Sequence, residues 1–500
     1  MSQLKKLASQ TLLYGLSNIM AKMLNYLLTP LLSYLLINQS GQIANGNMAI
    51  IYASMTFFNI IFTYGMETAY FKFSNQEGIE KNKLFQTSLS SLIISTVLLC
   101  GIVFFTREWL SNWMSLDQTI YINFMFMIIA FDTIAVIPFA KLRQEQRPLK
   151  YAITKLLGIL VTIGFTLWFI VFSPSYISHH PESLYTIIIQ PYDTTSLLLI
   201  SNAAGSLITL LLLIKEWKGF SFKIDVNLWK KVISYSLPFI IIGLGGMINE
   251  VIDRIMLSKL YVGTVEEAKA ITATYNFSYK LAIFITLFIQ AFKMAAEPFF
   301  FNQSKEKNAP ETYAKVMYWF VITLCVAFLF TSLFIDGFKY FIGPQYRQGL
   351  GVVPILLSAN VCLGIYYNLS IWYKITDNLR YGIAITLFGA ALTLMINYYF
   401  IPLYGMYASA YATLICYGTM MILSYFLGQK FYSIPYQIKS IGFYVLMAAI
   451  CFMCQNVLSM FIPSVFFRLL TGLVIFGIYL ILIVKKESIE ILSLLKKRKH

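Results

Sequence analysis

The sequence predicts an all-α polytopic membrane protein with about fourteen transmembrane helices, from its composition, its long apolar segments and the distribution of its basic residues. Residues of the set AVILMFWYC make up 58% of the 500 residues, and charged residues make up only 12%. Soluble proteins contain about 25% charged and about 45–50% apolar residues. The composition therefore excludes a cytosolic enzyme, a disordered chain and a disulfide-stapled secreted domain.

Fourteen apolar segments are long enough to cross the hydrocarbon core, which takes about 20 helical residues. Each is expected to be a helix, because a spanning segment must satisfy its own backbone hydrogen bonds. The predicted spans are residues 12–37, 48–71, 84–105, 119–140, 151–172, 195–214, 232–258, 270–300, 316–335, 351–371, 382–400, 406–428, 441–460 and 466–484.

The basic residues indicate the orientation of these spans. Most lysines and arginines lie in every second connection, as with Lys141, Arg143, Arg147 and Lys150, or near the two termini. The positive-inside rule places such segments in the cytoplasm. Because the alternation holds along the whole chain, we predict an even number of spans with both termini in the cytoplasm. The net charge of +16 then reflects topology and contact with membrane lipids, and no nucleic-acid partner is predicted.

The longest basic connection divides the chain into two comparable parts. We predict an N-terminal six-helix bundle at 1–214, a cytoplasmic linker at 215–231, and a C-terminal six-helix bundle at 232–428. Helices 13 and 14 follow at 429–484, with a basic cytoplasmic tail at 485–500. Transporters built from two such repeats bind their substrate between them.

Polar residues recur on one face of the first span. Asn18, Lys22 and Asn25 have helical spacing, and Lys22 lies about ten residues, or roughly 15 Å, into the span. A lysine near the bilayer centre costs about 2.5–3.5 kcal/mol on insertion scales. We therefore predict that this face lines a watery cavity. The alternative is a helix–helix interface joined by small and amide side chains.

Acidic residues occur in spans 2 and 7. Glu67 lies near the cytoplasmic end of span 2, either in the cavity or at the membrane interface. Glu250, Asp253 and Arg254 in span 7 are spaced to share a helical face. The alternative to a cavity site is a local ion pair that reaches the outer surface.

Span 8 carries Asn276 and Lys280, and Lys280 is again near mid-depth. Lysines from the two halves facing one cavity would favour an anionic ligand such as phosphate. The predicted substrate-binding residues are Asn18, Lys22, Asn25, Arg254, Asn276 and Lys280. The predicted coupling or gating residues are Glu67, Glu250 and Asp253.

Motifs of enzyme chemistry are absent from the sequence. It contains no G-x-x-x-x-G-K-[ST] loop, no G-x-S-x-G and no H-E-x-x-H. Cys451 and Cys454 have metal-ligand spacing but lack a second pair, so we interpret them as small core residues. We therefore expect no cofactor, no metal site and no enzymatic activity.

Three motifs carry a family resemblance. They are Tyr235, Leu237 and Pro238 followed by Asp253-Arg254, the segment GMETA at 65–69, and AAEP at 295–298. Together with the fourteen spans, they resemble polysaccharide biosynthesis proteins, the lipid-linked oligosaccharide flippases of the multidrug/oligosaccharidyl-lipid/polysaccharide (MOP) exporter superfamily. The resemblance covers essentially the whole chain.

The resemblance implies two six-helix bundles around a central cavity lined by spans 1, 2, 7 and 8. It implies an undecaprenyl-diphosphate-linked oligosaccharide as cargo, moved to the outer leaflet by alternating access, with membrane lipids and glycan polymerase machinery as partners. Three alternatives stay open: a cation-coupled multidrug exporter of the same superfamily, a lipid II flippase and, more distantly, a membrane glycan polymerase or ligase.

Overall fold

The computed structural model describes residues 20–497 except 21, 22, 25, 75, 305 and 377, and their regular structure is helical throughout. The predicted residues Asn18, Lys22 and Asn25 lie outside the described residues. The helices are α1 (Tyr26–Leu35), α2 (Gln39–Thr63), α3 (Met66–Ser74), α4 (Lys81–Trp113), α5 (Ile120–Gln144), α6 (Pro148–Leu167), α7 (Ser173–His179), α8 (Leu184–Ile189), α9 (Thr194–Leu212), α10 (Val226–Ser236), α11 (Pro238–Leu260), α12 (Val265–Leu281), α13 (Ile283–Gln303), α14 (Ala309–Leu333), α15 (Ile335–Phe338), α16 (Val353–Leu369), α17 (Ile371–Ile375), α18 (Leu379–Tyr404), α19 (Met406–Phe431), α20 (Ile438–Phe461) and α21 (Val465–Lys497).

Twelve helices in the described part of the chain are long and apolar enough to cross a membrane. They coincide with twelve of the fourteen predicted spans. Eleven of the 26 residues of the first predicted span lie outside the described residues, and its described part contains α1. The eighth is helical as α12 followed by α13. The all-α, multi-pass membrane class is confirmed, and the total of about fourteen is approximate.

Several helices extend beyond the predicted spans, and two of these extensions change the local structure. The fifth span continues from α6 through a π-helical turn, Trp168–Phe172, into α7. The last span continues beyond residue 484 as part of α21. There Glu487 is buried and accepts hydrogen bonds from Tyr318 (2.6 Å) and Tyr444 (2.7 Å). These bonds hold the turn after the apolar segment against α14 and α20.

The described contacts group the chain into two compact units. The first unit comprises residues 1–276 and 393–409, and the second comprises 277–392 and 410–500. In the first, α5 packs against α4 and α9, and α2 packs against α11. In the second, α14 packs against α16 and α20, and α20 packs against α21. The predicted bundles at 1–214 and 232–428 stay a prediction.

The packing of α6 against α9 shows how small residues position spanning helices. A Cβ placed on Gly158 would lie 2.0 Å from Thr209 Oγ1, and one placed on Gly205 would lie 2.0 Å from Thr162 Oγ1. Each threonine hydroxyl donates a hydrogen bond to a backbone carbonyl of its own helix. For Thr209, the acceptor is the Gly205 carbonyl at 2.9 Å. Glycine on each side therefore allows the two backbones to approach closely.

Candidate functional site

A buried ion pair on α11 is hydrogen-bonded to residues of α12. Arg254 Nη1 donates to Asp253 Oδ1 at 2.9 Å, and the hydroxyl of Tyr275 donates to Asp253 Oδ2 at 2.6 Å. Asp253 is 3% exposed and Arg254 is 7% exposed. Both oxygens of the Asp253 carboxylate are thus bonded inside the protein, as a buried charge requires.

Arg254 makes further contacts with both helices. Its Nη1 donates to the Glu250 carbonyl at 2.9 Å, and its Nε donates to Asn276 Oδ1 at 3.4 Å. Its guanidinium carbon lies 5.8 Å from the centre of the Tyr275 ring. We name Asp253, Arg254, Tyr275 and Asn276 the Arg254 cluster.

The structure gives the three predicted residues of span 7 different positions. Asp253 and Arg254 form a local ion pair, but that pair is buried in the protein. Glu250 contributes its main-chain carbonyl, and its side chain is exposed. The side-chain contact joins the sequence neighbours Asp253 and Arg254, and Glu250 takes part through its backbone.

Lys280 follows Asn276 by one helical turn on α12, and the contacts of the second unit begin between them. Its side chain is partly buried, and its Nζ lies 5.1 Å from the centre of the Phe277 ring. Whether Lys280 and Lys22 face one cavity stays a prediction, because Lys22 lies outside the described residues.

Glu67 lies in the first turn of α3 and pairs with Arg143 of α5 at 2.6 Å. Both side chains are 42% exposed. An exposed pair of this kind contributes about 0–1 kcal/mol to stability. Whether Glu67 lies in the cavity or at the membrane interface stays a prediction.

A second buried cation, Lys269, lies near the start of α12, at its predicted outer end. Its Nζ forms an ion pair with Asp117 in the α4–α5 connection, and Asn47 of α2 donates to the other Asp117 oxygen at 2.7 Å. Lys269 is 1% exposed. A Cβ on Gly46 would lie 2.4 Å from the Lys269 carbonyl oxygen, so the backbones of α2 and α12 are in close contact. We name Asn47, Asp117 and Lys269 the Asp117 tie.

The sequence analysis missed the Asp117 tie because its members are far apart in sequence, with 152 residues between Asp117 and Lys269. It also missed four buried polar residues of the first unit. Asn249 accepts a hydrogen bond from Thr393 at 3.4 Å, and Asn397 accepts one from Ser409 at 2.9 Å. Amide and hydroxyl residues are common in membrane helices, so no signal singled them out.

At the predicted cytoplasmic side, the buried carboxylate of Glu216 forms ion pairs with Arg147 and Lys150. Lys141 donates to the Glu216 carbonyl at 2.9 Å. Burial alone would raise the pKa of the Glu216 carboxyl, but the hydrogen bonds and charges of Lys150 and Arg147 outweigh it and lower that pKa. These contacts fix the α5–α6 connection to the segment that follows α9.

Within the described ranges, no group of three or more His, Cys, Asp or Glu residues is placed to hold a metal ion. In the first unit, Asp253 pairs with Arg254, and Lys269 pairs with Asp117. The twelve long apolar helices are those of a multi-pass membrane protein.

Comparisons with known proteins agree with this class. The structure of "Lipid II flippase MurJ, inward closed conformation" has a TM-score of 0.66 and 15% identity, covering 95% of this chain and 99% of that one. An inward-facing multidrug resistance MATE family transporter of the MOP superfamily has a TM-score of 0.57 and 14% identity, covering 86% and 95%. A mutant of the Vibrio cholerae MATE transporter VcmN has a TM-score of 0.53 and 11% identity, covering 85% and 96%. These likenesses show a shared fold.

Among curated protein sequences, none matches this chain. Residues 7–304 match the family described as "Polysaccharide biosynthesis protein". The chain belongs to this family, and the resemblance drawn from its motifs is confirmed.

Proposed function

We propose that the protein is a flippase that moves an undecaprenyl-diphosphate-linked oligosaccharide from the inner to the outer leaflet of the bacterial cytoplasmic membrane. The glycan would serve surface polysaccharide synthesis. The observation that carries this proposal is the Arg254 cluster, a buried cation on the spanning helix α11 that contacts α12, in a member of the polysaccharide biosynthesis family. Charged residues inside membrane helices are costly and are associated with substrate or ion pathways.

The chemistry of the cargo fits a cationic site. Its diphosphate is anionic, and guanidinium groups bind phosphate oxygens through strong, charge-assisted hydrogen bonds. Arg254 is neutralised by Asp253 in this structure, so a diphosphate would compete with that carboxylate. Tyr275 already donates to the same carboxylate, which would help to hold Asp253 while Arg254 turns toward the ligand.

Asn276 would complete this part of the site, and Lys280 lies one turn beyond it on α12. We retain Asn18, Lys22 and Asn25 as the proposed contribution of the first span. The polyprenyl chain would stay in lipid while the sugars and diphosphate cross between the helices.

Transport would require the predicted outer end of the first unit to open. The Asp117 tie holds α2 and the start of α12 together at that end. Separation of Asp117 from Lys269 would release this contact, which gives the tie a gating role in the proposed cycle. Coupling or gating roles for Glu250 and Asp253 belong to the same proposal, whereas Glu67, in its exposed pair with Arg143, is expected to contribute less.

The membrane potential could drive this transport. Moving one charge through 100 mV corresponds to about 2.3 kcal/mol, so two outward-moving negative charges would gain about 4.6 kcal/mol in an inside-negative cell. No nucleotide would then be required.

The test is leaflet transfer in proteoliposomes. A fluorescent undecaprenyl-diphosphate oligosaccharide is incorporated with the purified protein, and its exposure to a membrane-impermeant quencher is followed with and without an imposed potential. We expect transfer that is faster with the potential and is abolished by Lys22→Ala or by Lys280→Ala. Transfer that persists in the double variant would contradict the anionic site, and no transfer by the unmodified protein would contradict the function.

The same assay separates the rival functions. Lipid II replaces the oligosaccharide to test a lipid II flippase, and a cationic dye tests a multidrug exporter. Glu67 is paired with Arg143 and Asp253 with Arg254, so a cationic cargo would compete with an arginine just as a diphosphate would compete with a carboxylate. Preferential transport of the dye would favour the exporter.

A further inference from the structure

A short helical hairpin at the predicted outer side of the first unit has an apolar face. It consists of α7 and α8, residues 173–189, and we name it the α7–α8 hairpin. Leu184, Ile187 and Ile188 of α8 are 74%, 61% and 54% exposed. Their spacing places them on one side of the helix. The proposed function does not use this surface.

The polar groups of α8 are bonded on the opposite side, toward the protein. The Tyr185 hydroxyl donates to Ser173 Oγ at 2.8 Å and accepts a hydrogen bond from Trp168 Nε1 at 2.9 Å. The buried hydroxyl of Thr186 donates to the His180 carbonyl at 2.7 Å. A helix surrounded by water turns its apolar side chains toward the protein and its polar ones outward. The reverse arrangement on α8 indicates that its outer face is covered by an apolar medium.

The length of the preceding helix places the hairpin at the membrane surface. The helix formed by α6, the π-helical turn and α7, Pro148–His179, has 32 residues. At 1.5 Å per residue it is about 48 Å long, whereas the hydrocarbon core is about 30 Å thick. Trp168 follows Pro148 by roughly 30 Å of helix, so it lies near the outer edge of the hydrocarbon. The hairpin then begins in the headgroup region.

Aromatic side chains cluster at this level. The ring centres of Trp168 and Tyr185 are 6.2 Å apart, and those of Tyr176 and Tyr185 are 5.3 Å apart. Tryptophan and tyrosine are enriched at membrane–water interfaces, where the ring contacts lipid and the polar group makes a hydrogen bond. Trp168 fits this description, since its side chain is exposed while its indole N–H is bonded to Tyr185.

An open groove on α6 extends from Trp168 toward the predicted membrane core. Val161, Gly164, Phe165 and Trp168 line it, and its volume is about 340 Å³. A Cβ placed on Gly164 would meet no other atom within 4 Å. A water-sized group occupies about 30 Å³ and a methylene group is of similar size, so the groove has room for a stretch of one hydrocarbon chain.

The charges of this region favour apolar contact with the membrane over attraction to headgroups. Residues 156–214 contain no lysine or arginine, and Glu182 in the hairpin turn is exposed. Basic segments bind anionic headgroups by electrostatic attraction, and this segment has no such side chain to contribute. Contact with the hairpin is therefore expected to be independent of the charge of the lipid.

We propose that the α7–α8 hairpin is an interfacial anchor that binds the phospholipids of the outer leaflet. Leu184, Ile187 and Ile188 lie among the upper acyl chains, and the groove on α6 holds one acyl chain. The anchor fixes the depth of the first unit's outer end in the bilayer. It lies wholly within the first unit and does not depend on the cargo proposed above.

The depth of the hairpin is measured by electron paramagnetic resonance on the full-length protein in phosphatidylcholine nanodiscs. The six native cysteines are replaced by alanine, and the melting temperature verifies that each variant is folded. Nitroxide labels are attached singly at Leu184→Cys, Ile187→Cys and Ile188→Cys. Labels at Ser178→Cys and Glu182→Cys, exposed polar positions of the same hairpin, are the matched controls. Each label is exposed to oxygen, which concentrates in lipid, and to a water-soluble nickel chelate.

We expect the three α8 labels to collide severalfold more with oxygen than with the nickel chelate, and the control labels to show the opposite ratio. The ratios should be the same in phosphatidylglycerol nanodiscs, because the contact is apolar. Labels on α8 that respond to nickel as the controls do would place the hairpin in water and overturn the proposal. Labels shielded from both agents would place a protein partner over α8 and overturn it as well.

A second measurement keeps the native cysteines and tests the groove. Tryptophan fluorescence is compared in nanodiscs of brominated and ordinary phosphatidylcholine, because bromine atoms on an acyl chain quench a tryptophan that they contact. Trp168→Phe should lower the quenched intensity. Trp372→Phe, which removes a tryptophan that is 1% exposed, should leave it unchanged. A quenched intensity that is unchanged in both variants would show that no acyl chain reaches the groove.

Discussion

The Arg254 cluster and the Glu67–Arg143 pair contain the same kind of ion pair in different surroundings. Arg254 and Asp253 are buried between α11 and α12, with a tyrosine hydroxyl, a carbonyl and an amide completing their hydrogen bonds. Glu67 and Arg143 are both exposed at the start of α3 and the end of α5. Breaking a buried pair leaves an uncompensated charge, whereas an exposed charge returns to water. Burial therefore decides which of the predicted charged residues the fold depends on.

The largest effect is expected from Arg254→Met. It leaves the Asp253 carboxylate buried without its cation, a change that costs about 3–5 kcal/mol in comparable buried pairs. We expect a clear fall in melting temperature in detergent and loss of oligosaccharide transfer in proteoliposomes.

The double variant Asp253→Asn/Arg254→Met separates stability from function. It removes both charges, so we expect much of the stability to return while transfer remains absent. Normal transfer by the double variant would show that the cluster serves the fold alone.

The Asp117 tie adds an asymmetric pair to the comparison, because Lys269 is 1% exposed while the Asp117 side chain is 44% exposed. Asp117→Asn leaves a buried ammonium without its carboxylate, and we expect a cost of about 1–3 kcal/mol. Lys269→Met leaves only an exposed carboxylate, and we expect a smaller loss or none. Melting temperatures of the two single variants and the double variant measure this order, and the reverse order would contradict the assigned burial.

Glu67→Gln is expected to have a small effect. The exposed pair with Arg143 contributes about 0–1 kcal/mol, so melting temperature and oligosaccharide transfer should both stay close to those of the unmodified protein. Loss of transfer in this variant alone, with stability intact, would support the cation-coupled exporter instead.

The last prediction concerns Glu216 and the pH dependence of folding stability. Because the pKa of Glu216 is lowered in the folded protein, its carboxylate contributes fully to folding stability above the ordinary glutamate pKa of about 4.3. This contribution is lost as the pH falls through the lowered value. The melting-temperature difference between the unmodified protein and Glu216→Gln should be constant near neutral pH and shrink in acid. A difference that grows in acid would mean that the pKa is raised.

The sequence predicted the class and most spans because the bilayer fixes the length and polarity of any segment that crosses it. It also singled out Asp253 and Arg254, because charged residues stand out within an apolar span. It could not locate the Asp117 tie, whose members come from α2, the α4–α5 connection and α12. Nor could it locate the extension of α21, where Tyr318 and Tyr444 donate hydrogen bonds to Glu487. Helices can be predicted from local sequence patterns. Contacts between residues that are far apart in sequence can be identified only from the folded structure.

The reciprocal glycine–threonine contacts between α6 and α9 have a practical consequence. Two backbones pressed together by Gly158 and Gly205 cannot slide past one another without a steric clash. Spin labels placed on the outward-facing sides of these two helices should therefore keep a constant separation throughout the proposed transport cycle. That separation would provide a fixed reference distance with which movements of other helices in the first unit can be compared.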